Sequence, residues 1–285
     1  MATAGNFPKI TGDTIYLADY NAIQSVIAGV VSTYYSNAIG SSQLSGTPTI
    51  SAPQMDLLRL DIDKAYKHIT GSITTLTDLA TGNLISKDDF NAYKTAADYC
   101  ETNKATVHPT QESSVVNSTS LTVAWNTAHT WTYTYTWASA ALAQQWFNCG
   151  GRFVVDVSGD GSLGTSKDID WQDNILNAIP TQTYTKSNWD TGTNISVTEF
   201  GNVSQYVENY CQITITKVGT TQVSISVILN DADTGDKVIA DTGLGPFGVP
   251  IDENVNTNAY ASITSYTSID AITATAPTAA NPANW

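Results

Sequence analysis

Apolar residues recur at a helical spacing three times in the first hundred positions. The copies open at Ile15, Ile50 and Ile85, a period of 35 residues. Each carries a column at a 3-4-3 spacing. The column is Tyr20, Ile23, Ile27 and Val30 in the first copy, and Met55, Leu58, Ile62 and Ala65 in the second. In the third it is Phe90, Tyr93, Ala97 and Cys100. That spacing is one stripe of an amphipathic helix, and it predicts helices over 18–31, 53–67 and 87–102. Ser51 and Ser86 stand at N-cap positions, with Gln54 and Asp89 three residues later to complete a capping box. The first copy has Tyr16 at that place and lacks the signal. Each helix is marginal alone. The stripes can close against one another in one chain, or against other chains.

Beyond about Thr106 the period falls from 3.6 to two. The segment 106–120 reads as a linker. Alternating segments then follow: "SLTVAW", "TWTYTYTW", "GRFVVDVS", "NISVTEF", "CQITITKV", "TQVSISVIL", "KVIADT" and "ASITSYTSIDAITAT". "SAALAQQWFN" and "KDIDWQDNILNAI" are helix candidates between them. The pattern predicts an α+β chain. Helical repeats at 1–105 are followed by an antiparallel β-sandwich-like domain over 121–275, and 276–285 forms an extended tail.

In "TWTYTYTW" one strand face carries Trp131, Tyr133, Tyr135 and Trp137, and the other carries threonines. Four such rings bury on the order of 600 Å² or more. That equals the largest apolar patch a monomer usually exposes. The rings therefore belong to a core or a subunit seam; the alternative is a stacking platform for a sugar.

Charge narrows the chemistry. The net charge is −14, with 12 Lys and Arg against 26 Asp and Glu, and the basic residues are scattered. A surface that grips nucleic-acid phosphates needs the opposite sign. The three cysteines are far apart, with no C-x-x-C, so buried thiols in a reducing cytoplasm are expected rather than disulfides. No secretory signal is legible at the start, and no apolar run is long enough to span a membrane. His68, His108 and His129 have no metal-ligand spacing, and His68 suits the end of the second helix. Gly159–Gly164 matches G-x-G-x-x-G without the βαβ context a nucleotide site requires. No cofactor is expected. Asp231, Asp233 and Asp236 form an acidic loop that is either a solvated turn or a weak calcium site, and Asp156, Asp160, Asp168 and Asp170 form a second. No catalytic constellation is visible, so no enzymatic activity is expected.

Further motifs run through residues 10–160. They are Tyr20-Asn21 at a helix opening, then Leu58, Arg59, Asp61 and Ile62, then His68 and Gly71. Phe147-Asn148-Cys149-Gly150-Gly151 then leads into a strand. In these the chain resembles uncharacterised virion structural proteins of contractile-tailed phages, cyanophages especially. The resemblance implies a tail-, neck- or fibre-associated particle component, made in the host cytoplasm and residing in the virion. It implies no active site. The expected partners are other virion proteins and copies of the chain, a homotrimer being favoured because two-heptad stripes pack around a threefold axis. Tyr34, Tyr35 and Trp285 support this as rings a monomer would leave wet. A host-surface glycan is the alternative partner.

Overall fold

The computed structural model describes residues 7–11, 13–46, 49–79, 85–121, 128–159, 166–203, 206–232, 253–262, 272, 274–275 and 277–280. The chain is α+β and divides into two compact units. One comprises residues 1–113 with 148–150 and 261–275; the other comprises 114–147, 151–260 and 276–285.

In the first unit the three expected helices are present: α1 (Leu17–Ala28), α2 (Ala52–Thr70) and α3 (Lys87–Asn103). A π-helical turn, Gly29–Tyr34, continues α1. It lets the adjacent Val30 and Val31, and then Tyr35, all turn inward. All three starts are capped. The Gln54 and Asp89 side chains accept the N–H groups of Ser51 and Ser86, each at 2.8 Å. The first copy is also capped: Asp19 accepts the Tyr16 N–H at 2.6 Å. This box half depends on the N3 acid, not on the N-cap residue, so Tyr16 did not reveal it.

The twelve column residues share one buried core, each at most 1% exposed. Ile15, Ile50 and Ile85, the residue that opens each copy, line a single cleft with Leu17, Thr49 and Phe90. The three helices therefore start at one end and run the same way, and each link must return along their length. α2 is about 28 Å long, a distance an extended link of some fifteen residues covers with ease.

Hydrogen bonds trace the returns. Asn21 on α1 grips Leu44 in the first link, accepting its N–H and donating to its carbonyl, both at 2.8 Å. Asn91, two periods later on α3, grips Lys9 in the same two-way manner at 2.7 and 2.9 Å. Leu44 and Lys9 are themselves one period apart. The N-terminal segment thus stands on α3 as the first link stands on α1, in the place a third link would take. Its Lys9 ammonium is buried against the Asp19 carboxylate at 2.8 Å. The three-repeat ring is closed by the residues that precede its first helix.

The second unit holds the β-structure. The strands are β1 (Glu112–Leu121), β2 (His129–Thr136), β3 (Arg152–Gly159), β4 (Gln182–Tyr184), β5 (Ile195–Phe200), β6 (Tyr210–Val218), β7 (Gln222–Asn230), β8 (Glu253–Ser262) and β9 (Thr278–Ala280). They form a four-stranded sheet, β1-β8-β3-β4, and a five-stranded sheet, β5-β6-β7-β2-β9. Every described pairing register is antiparallel. Tyr135 on β2 meets Phe153 on β3 with ring centroids 4.5 Å apart, so the sheets pack face to face. Helix α4 (Ala140–Asn148) and the pair α5 (Ser166–Ile169) and π-helical turn Asp170–Leu176 fall where sequence expects helices. The short α6 (Lys186–Thr191), β4 and β8 have no such signal.

Four expectations need correction. The presumed linker 106–120 contains most of β1, a sheet-edge strand, where polar residues on both faces are tolerated. Part of the presumed tail 276–285 is β9, paired with β2 at an edge of the five-stranded sheet. The last segment assigned to the sandwich does not stay there: β8 ends at Ser262, and Ile272 is buried in the core of the helical unit. Tyr35 is buried and Tyr34 half-buried inside that unit, so neither ring needs a second chain. "KVIADT", the glycine loop 160–164 and Trp285 lie outside the described residues.

Candidate functional site

The repeat explains where the helical unit is sealed and where it opens. Link residues 38–41 lie against α2 and are stapled to it. The Asp61 carboxylate accepts N–H groups from Gly40 and Ser41 at 2.9 and 2.7 Å, and the Lys64 ammonium donates to the Ala38 carbonyl at 2.8 Å. One period later the same link positions are Ile73, Thr74, Thr75 and Leu76, and the stapling residues are replaced by Ala96 and Tyr99 on α3. Neither can bind a backbone as a carboxylate and an ammonium do. The second link is held from α2 instead, where Asp63 accepts the Thr74 N–H at 2.9 Å and its hydroxyl at 2.5 Å. On the α3 side a pocket of about 400 Å³ remains. Ile73–Leu76, Ala92, Thr95, Ala96 and the tilted ring pair Tyr66 and Tyr99 line it. Its rim exposes Ile73 and Tyr99, at 48% and 41%. The pocket is mainly apolar, with hydroxyls from threonine and tyrosine. Sequence reading marked the column but not this break, although aligning the copies on their period would have shown it.

The motif residues between Tyr20 and Gly151 have structural work. Asn21 clamps the first link, Asp61 staples it, and Arg59 bridges Asp56 and Asp63 at 2.7 and 2.8 Å. Gly71 ends α2 at φ +81°, and a β-carbon there would sit 2.6 Å from the His108 ring. Asn148 donates to the Tyr34 carbonyl at 2.7 Å. Gly150 has φ +89°, and Gly151 lies where a β-carbon would strike the Trp146 ring at 2.2 Å.

His68 is buried near the end of α2, its ring 4.8 Å edge-on from Tyr35, and its carbonyl accepts the His108 N–H at 2.9 Å. Burial pushes its pKa down to about 4. The folded value is below the unfolded one of about 6.5, so the unfolded state takes the proton first on acidification. The stability from the neutral ring is present above pH 6.5 and is lost as pH falls through about 4, on the order of 3 kcal/mol in all. Thermal melts across that window are expected to decline in the native chain and to be flatter in His68→Gln. Equal slopes would remove His68 as the cause.

The aromatic strand is not a platform. Trp131, Tyr133, Tyr135 and Trp137 are each at most 3% exposed. Trp137 packs among Trp146, Phe147, Phe153 and Trp189, with centroids 5.3–6.2 Å away. Phe147 and Trp189 stack at 4.8 Å. Of the acidic loop, Asp231 is buried and its carboxylate lies 2.5 Å from the Lys167 ammonium. Asp233 and Asp236 lie outside the described residues. Among the described residues no three His, Cys, Asp or Glu side chains gather as a metal shell. Cys100, Cys149 and Cys211 are buried and not joined in disulfides, and burial raises the pKa of the first two to about 12. Among the described residues no helix is long and apolar enough to cross a membrane.

Comparison with known proteins finds no matching family model, no matching curated protein and no matching solved structure.

Proposed function

We propose that the chain is a structural component of a phage virion, associated with its tail, neck or fibre. The helical unit attaches and the β unit is displayed. The observation that carries this reading is the kind of residue behind the resemblance. Asn21, Arg59, Asp61, Gly71, Asn148 and Gly151 clamp links, pair inside a helix or fit tight turns. Proteins that share such residues share a scaffold, and the resemblance contains no catalytic set. The stripes that motivated a trimer close within one chain, so association with further copies would use other faces. The pocket beside Tyr99 gives a neighbouring virion protein an apolar anchor point on the helical unit.

The test is the protein inventory of purified particles by mass spectrometry. The chain is expected among the particle proteins at a fixed ratio to the major tail components; its absence overturns the proposal. Tyr99→Asp is expected to change unfolding stability by no more than about 0.5 kcal/mol while lowering incorporation about tenfold. Unchanged incorporation would move the attachment away from this pocket.

A further inference from the structure

The outer face of the five-stranded sheet has a composition that a merely solvated surface does not require. Its inner face is the aromatic and aliphatic core, so the alternate residues of β2, β5, β6 and β7 point outward. The registers align them in cross-strand rows. Thr132 stands opposite Ser226, Ser226 opposite Thr214, and Thr214 opposite Ser196, giving four hydroxyls across four strands. The next row is Thr134, Ser224 and Thr216. Adjacent hydroxyls in such a grid lie about 5 Å apart across strands and about 7 Å along them. No outward position described on these four strands is Asp, Glu, Lys or Arg. At the β5–β6 margin the same face carries Phe200, 54% exposed, and Tyr210, with ring centroids 5.6 Å apart.

We propose that this face binds a neutral polysaccharide. The grid is flat, so it suits an extended polymer rather than a small molecule enclosed in a cavity. Its hydroxyls donate and accept, as those of a sugar do, and the Phe200–Tyr210 pair offers ring surface on which a sugar can stack. No side chain in the grid brings a charge that must be desolvated. The chain's −14 charge repels an acidic polymer, and no carboxylate on the face is placed to hold a basic one. A second copy of the chain fits worse. The four strands present a face of roughly 20 by 20 Å, about half of what each partner buries in a stable interface. Its apolar residues are Phe200 and Val218 at the margin and a single half-buried isoleucine, Ile228, on β7 among hydroxyl and amide side chains, which does not make the apolar centre with a polar rim that an interface has.

The experiment is affinity electrophoresis of the full chain in native gels that contain dextran, galactomannan or a soluble β-1,3-glucan, with alginate as the acidic control. Retardation is expected in at least one neutral gel and not in alginate. Ser226→Glu, which sets a carboxylate in the central row, and Phe200→Ala are each expected to weaken that binding about tenfold or more, roughly one decade of affinity. Circular dichroism melts of both variants check that the fold is kept; Thr132→Lys is the replacement should Ser226→Glu fail to fold. Unaltered mobility in all three neutral gels overturns the proposal, as does retardation that the variants leave unchanged. Concentration-dependent dimerisation abolished by Ser226→Glu also overturns it and gives the face to a second copy.

Discussion

Lys9→Met is expected to destabilise the helical unit by about 3–5 kcal/mol, although methionine nearly matches the volume of lysine. The Lys9 ammonium and the Asp19 carboxylate lie 2.8 Å apart, and neither side chain reaches solvent. Removing one partner leaves the other as an uncompensated buried charge, which is the costly way to break such a pair. Asp19 keeps some compensation, because it sits in the first turn of α1 and accepts the Tyr16 N–H. The loss is therefore expected towards the lower end of the range. Adding Asp19→Asn should recover most of it, since the amide oxygen still caps the helix and the stranded charge is gone. Urea unfolding followed by far-ultraviolet circular dichroism measures all three chains. A single variant as stable as the parent would mean that the pair is solvated and the N-terminal segment is not seated.

Trp137→Ala is expected to cost the β unit about 3–5 kcal/mol, the range for truncating a large buried ring. Four other aromatic rings surround the site, and they cannot all collapse into the space. Thr132→Ala, on the opposite face of the same strand, is exposed and is expected to change stability by no more than about 0.5 kcal/mol. Denaturant midpoints followed by tryptophan fluorescence decide the matter. Equal effects from the two substitutions would mean that the strand's faces are assigned the wrong way round.

The two strong periodicities were legible in the sequence for a physical reason. A buried column such as Tyr20, Ile23, Ile27 and Val30 must be apolar at helical spacing. Likewise a half-buried strand such as Thr130–Trp137 must alternate. Both patterns are imposed by the local geometry and need no knowledge of neighbours. What sequence reading missed depends on neighbours. β1 is polar because it lies at a sheet edge. Ile272 is apolar because it enters the helical core, far along the chain from the helices it touches. The pocket beside Tyr99 exists because a staple formed by Asp61 and Lys64 in one repeat is absent from the next. Only comparison of the repeats, position by position, exposes that difference. The uncharged rows of the outer sheet face needed the strand registers before Thr132, Ser226, Thr214 and Ser196 could be seen as one line.

Three repeats closed by the segment that precedes them make up the helical unit, and residue-resolved hydrogen exchange tests that closure most directly. The Lys9 amide donates to Asn91 and the Leu44 amide to Asn21, two equivalent clamps one period apart. Both amides are expected to be protected in the native chain. In Asn91→Ala, Lys9 should exchange at least about tenfold faster while Leu44 keeps its protection. A Lys9 amide that exchanges at the rate of an unstructured peptide in the native chain would contradict the account, because the ring would then be open at its third groove.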